Sequence, residues 1–99
     1  MTVTTTEETV REVLGKSYDN YGFQGNTRII NDFVSTLNDP SMSVVAADGE
    51  ASPAADTIRS SLWSCFTGGG DVFYALATRA TTELFKSLGR ENELGWMNS

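Results

Sequence analysis

The chain has 99 residues, of which 39% are hydrophobic and 20% charged, and it carries a net charge of −6. This size suits one domain with one modest core, and the composition is globular rather than disordered. The acidic balance, with seven scattered basic residues, excludes the clustered Lys and Arg that nucleic acid or an anionic membrane requires; the absence of histidine excludes Ser-His-Asp and Cys-His catalysis, imidazole metal sites and histidine pH switches.

Cys65 is the only cysteine, so neither an intrachain disulfide nor a multi-cysteine zinc site can form. No apolar run approaches the roughly 20 residues needed to span a bilayer. The opening MTVTTTEETV has neither the basic nor the apolar region of a leader. A cytoplasmic protein is the expectation.

Residues 1–5 are Thr-rich and read as frayed. Thr5 and Glu8 form a capping box, and Val10, Val13 and Leu14 follow at helical spacing. A first helix is predicted over 6–18. The stretch DNYGFQGN (19–26) is a turn, rich in residues that tolerate positive φ. Tyr18, Tyr21 and Phe23 surround it and are expected to pack the corner.

Asn26 is placed to cap a second helix over 27–38, whose Ile29, Ile30, Phe33, Val34 and Leu37 make one apolar stripe. Asn38-Asp39-Pro40 ends it, since the residue before proline avoids the helical region. Residues 39–53 are the longest connection; MSVVAA within them has no partner strand and is expected to be a packed loop, with a helical turn allowed.

Ser52-Pro53 starts a third helix, with Ser as N-cap and Pro at the first helical position. It is predicted over 53–66, with Ile58, Leu62, Cys65 and Phe66 inward and Arg59, Ser60 and Ser64 toward water. Gly68-Gly69-Gly70 ends it. Asp71 is assigned as the cap of a fourth helix over 72–88, with Phe73, Leu76, Ala77, Ala80, Leu84 and Leu88 along one face. Gly89 is the expected C′ residue. The tail, 90–99, is polar except for Leu94, Trp96 and Met97.

The glycine-rich turn into a helix start has the general form of an anion cradle. It lacks a preceding strand and the lysine and Ser/Thr of a phosphate loop, and Asp71 puts a negative charge where an anion would sit. A corner between two helices is the reading. Cys65 falls on the apolar stripe near a helix C-terminus, where no positive dipole activates a thiol. The carboxylate groups Glu7/Glu8/Glu12 and Asp48/Glu50 lie at an exposed helix start and in a polar loop, so both read as solvated.

The fold expected is all-α: a small bundle of four short helices, with one longer loop at about 39–53, in a single helical domain over 1–99. Helices 1 and 2 are expected to pair, and likewise helices 3 and 4. No catalytic, cofactor-binding or metal-binding residue is assigned. The chemistry leans away from an enzyme and toward a small acidic protein–protein interaction module, a subunit or adaptor of a larger assembly or a self-associating chain. Its candidate contacts are Tyr18, Tyr21, Phe23, Trp63, Trp96 and Met97, because aromatics bury much area at low entropy cost. Neither nucleic acid nor membrane is an expected partner. Two alternatives stand beside it: an acidic inhibitor or nucleic-acid mimic occupying a basic groove, and a small helical enzyme or ligand carrier with a pocket between helix pairs. The Trp96 tail is expected to dock either back onto the bundle or onto a partner.

Overall fold

Four helices form at the four apolar stripes: α1 (Glu7–Tyr18), α2 (Thr27–Leu37), α3 (Pro53–Cys65) and α4 (Gly70–Ser87). The computed structural model describes residues 7–18, 27–44, 49–65 and 70–98, and no strand occurs among them. The architecture is the expected small all-α bundle. Short 3-10 turns at Pro40–Met42, Glu91–Glu93 and Gly95–Asn98 complete it. Thr5, Asn26, the 19–26 turn, residues 45–48 and residues 66–69 lie outside the described residues. Among the described residues, no helix is long and apolar enough to cross a membrane.

The buried side chains follow the stripes. Val10 and Leu14 come from α1; Ile30, Phe33 and Leu37 from α2; Ala54, Ala55, Ile58 and Leu62 from α3; Ala77, Ala80, Leu84 and Phe85 from α4. Together with Leu94 and Met97 they form one cluster. The alanines of α3 and α4 have little side chain to hold two helices apart, and α3 against α4 is the most extensive contact in the bundle. α1 lies against both α2 and α4, so the bundle is more closely interleaved than two separate pairs. Phe85 extends the α4 stripe by one residue beyond the predicted set and is fully buried.

The helix ends explain the chain path. Ser52 caps α3 as expected: its Oγ accepts from the Ala55 N–H at 3.2 Å. Asp39 accepts from the Ser41 N–H at 3.0 Å and its hydroxyl at 2.8 Å, which sets the turn after α2. α4 starts at Gly70, so Asp71 stands inside the first turn and not at the cap assigned to it. There its carboxylate acts on the helix dipole from an exposed position. Gly89 ends α4 with φ of 71°. Its N–H donates to the Lys86 carbonyl at 3.1 Å, and the Arg90 N–H donates to the Phe85 carbonyl at 2.8 Å, the paired bonds of a Schellman motif.

This cap aims Arg90 back into the protein. Its guanidinium stacks over Phe85, 5.5 Å from the ring centroid. It donates to both carboxylate oxygens of Glu93, to the Leu37 carbonyl at the end of α2 and to the Ser43 hydroxyl. Glu93 is 4% exposed, and its Oε1 also accepts from the Ser52 hydroxyl at 2.8 Å. The Ser52 N–H donates to the Glu93 carbonyl at 2.8 Å, and the Trp96 N–H donates to the Gly49 carbonyl at 3.0 Å. One ion pair thus ties the end of α2, the start of α3 and the C-terminal segment together. The C-terminal segment is polar in composition, yet residues 90–98 fold onto the bundle through Glu93, Leu94 and Met97. Of its apolar side chains only Trp96 stays outside, 43% exposed.

Candidate functional site

Arg59 and Trp63 are four residues apart on α3, so their side chains share one face. The α3–α4 packing sets that face beside Tyr74. Trp63 and Tyr74 meet edge to face, with centroids 5.0 Å apart and an interplanar angle of 84°, a geometry worth about 0.5–1.5 kcal/mol beyond area burial. Trp63 Nε1 donates to the Gly70 carbonyl at 3.3 Å, which fastens the ring over the first residue of α4.

The Arg59 guanidinium lies over Tyr74 at 5.1 Å and over Trp96 at 5.6 Å from the ring centroids. Arg59 was expected to face water; its side chain is only 12% exposed, because the two rings cover it. Its Nη2 donates to Asp56 Oδ1 at 2.8 Å, while its buried Nε has no hydrogen-bond partner among the described residues. The ring faces offset that loss, since a desolvated cation–π contact is worth about 2 kcal/mol. The result is a continuous strip: Trp63, Tyr74, Arg59, Trp96. Two grooves flank Trp96. One, about 540 Å³, runs along α4 past Tyr74, Thr78, Thr82 and Lys86. The other, about 470 Å³, lies over Glu50, Pro53, Asp56 and Thr57.

The structure therefore brings together Trp63 and Trp96, two of the six expected contacts. Met97 is 7% exposed and belongs to the core, with an edge on the α4 groove, so it is not a surface contact in its own right. The 3-10 turn over Gly95–Asn98 carries it inward while its neighbour Trp96 stays outside. Tyr21 and Phe23 lie outside the described residues, as does the Tyr18 side chain. Tyr74 and Arg59 were missed. The signal available was the spacing of Arg59 and Trp63, a cation and an aromatic one helical turn apart.

The ionisable groups at the strip are Tyr74, Arg59 and the Asp56 carboxylate that accepts from Arg59 at 2.8 Å. Cys65 packs against the core, and burial pushes its thiol pKa up. A raised pKa leaves less thiolate at neutral pH, and the thiolate is the reactive form. At pH 7.5 a thiol reagent should label native Cys65 several-fold more slowly than the urea-unfolded chain, read by mass shift against time; equal rates would contradict the packing. Among the described residues, no group of His, Cys, Asp and Glu could hold a metal ion. Glu7 pairs with Arg11 at 2.9 Å on the surface of α1. Comparison with protein-family models, with curated proteins and with solved structures finds no match for this chain.

Proposed function

We propose that this chain is a non-enzymatic protein–protein interaction module that docks through the strip Trp63–Tyr74–Arg59–Trp96. The observation that carries the reading is the exposure of both tryptophans, 38% and 43%, on side chains that the cation and Tyr74 hold in place. Rigid, half-exposed Trp beside Arg is the composition of an interface hot spot. Such rings lose little conformational freedom when a partner covers them. The paired grooves beside Trp96 offer room for the side chains of that partner.

Affinity capture from native extract tests this, with wild type, Trp63→Ala and Trp96→Ala as baits. Each substitution should cost about 1–2 kcal/mol of stability and leave the fold intact by circular dichroism. Wild type should retain a partner at fixed stoichiometry in a high-salt wash, and both variants should lose it. A partner that leaves wild type in salt would point to charge-driven docking, as an acidic mimic predicts. A partner retained by both variants would refute docking through the strip.

A further inference from the structure

We propose that the groove along α4 beside Trp96 binds a linear apolar carboxylate, a fatty acid, whose chain lies against the helix and whose head meets Lys86. This goes beyond the interaction-module reading and does not rest on it. The groove holds about 540 Å³, within the roughly 300–1,000 Å³ that small-molecule sites occupy. Its α4 wall runs from Tyr74 to Lys86, about 18 Å of helix at the standard rise. Trp96 and Met97 of the C-terminal segment supply the rest of the wall.

The wall suits hydrocarbon better than peptide. Thr78 Oγ1 donates to the Tyr74 carbonyl at 3.0 Å, and Thr82 Oγ1 donates to the Thr78 carbonyl at 2.8 Å, so the helix already uses both hydroxyl protons. Arg79 and Glu83 pair with each other at 3.4 Å, and Glu83 has a further interaction besides. A peptide laid along the groove would cover backbone amides that find few partners there, at a cost for each. An acyl chain has no amide to satisfy, and a wall built mainly along one helix suits its straight form.

Lys86 selects the head. It is exposed in the last turn of α4 and enters no ion pair among the described residues, unlike Arg79 and Glu83 on the same wall. An ammonium at the end of an apolar groove favours a ligand with one terminal negative charge. The net charge of −6 repels anions at long range, so a ligand with several negative charges is disfavoured. The chain then supplies most of the affinity and Lys86 the choice between heads.

Titration calorimetry of the full chain with decanoate, kept below its micellar range at neutral pH, tests the site. Wild type should bind one decanoate saturably, and octanoate several-fold more weakly, since each buried methylene adds to the affinity. Decyltrimethylammonium, with the same chain and the opposite charge, should bind at least tenfold or so more weakly than decanoate. Lys86→Gln should weaken decanoate about three- to fivefold, the scale of one exposed ion pair. Asn31→Glu lowers the net charge equally from the exposed face of α2 and lines neither groove, so it should change the affinity little. Ala75→Phe fills the groove from an exposed position and should abolish binding. Circular dichroism confirms that each variant is folded, and the comparison of heads needs no variant at all. Absence of saturable binding up to about 1 mM decanoate, where even weak specific sites register, overturns the proposal. So does equal affinity for the cationic homologue, a Lys86→Gln effect no larger than that of Asn31→Glu, or a folded Ala75→Phe that binds as wild type does.

Discussion

Arg90→Ala is expected to lower the stability of this protein by about 3–5 kcal/mol, the usual result of breaking a buried ion pair. The Glu93 side chain is 5% exposed, so truncating Arg90 strands a carboxylate in the interior with only the Ser52 hydroxyl still donating to it. The same change removes the donors to the Leu37 carbonyl and Ser43 and the stacking on Phe85. For a domain of this size each kcal/mol moves the melting midpoint by about 4–8 °C, so the shift should exceed 10 °C or so in a thermal scan. Glu93→Ala should cost less. The Arg90 side chain is 20% exposed and can turn partly to water while keeping Leu37 and Ser43. Arg90→Lys should fall near Arg90→Ala, because one ammonium cannot reproduce a planar fork that reaches three partners. If Arg90→Ala melts within a few degrees of wild type, the pair does not join α2, α3 and the C-terminal segment as described.

What was legible in the sequence was what repeats locally. The helices follow from apolar residues at helical spacing, and Ser52-Pro53 and Gly89 announce their ends by backbone chemistry that two or three residues decide. Arg59, Arg90 and Glu93 were not legible. A charged side chain on a helix flank or in a polar tail reads as solvated, and it becomes buried only when a segment distant in sequence covers it. Trp96 covers Arg59 from 37 positions away, and Leu37 meets Arg90 from 53 away. No local period encodes either meeting. The candidate site shares this property. Trp63 and Trp96 stood out as single residues, but the strip exists only because Tyr74 and Arg59 lie between them. The misplaced cap at Asp71 has a different cause. A glycine with φ of 81° opens α4 two residues earlier than a cap at Asp71 would, and a run of three glycines leaves the starting residue undetermined from sequence.

Gly95→Ala should cost about 3–5 kcal/mol, at least twice the cost of Gly89→Ala. Both glycines have positive φ, 53° and 71°, so alanine meets a comparable backbone penalty at each, about 1–2 kcal/mol. Space separates them. A Cβ on Gly89 meets nothing within 4 Å, whereas one on Gly95 overlaps the Glu50 carbonyl carbon and oxygen and comes within 2.7 Å of the Ala51 nitrogen. These are backbone atoms and cannot rotate away. They are also held on both sides, by the Trp96–Gly49 and Ser52–Glu93 backbone bonds. Relief requires the two segments to part, which breaks those bonds and draws Leu94 and Met97 from the core. Trp96 would then leave Arg59, so the strip and the stability should fail together. In a Trp63→Phe background, where Trp96 is the only tryptophan, Gly95→Ala should shift its fluorescence to longer wavelength at temperatures where the helices persist. Gly89→Ala should leave that emission unchanged. Equal melting midpoints for the two alanine variants would mean that the C-terminal segment does not approach the Glu50 backbone this closely, and the position of Trp96 would lose its physical basis.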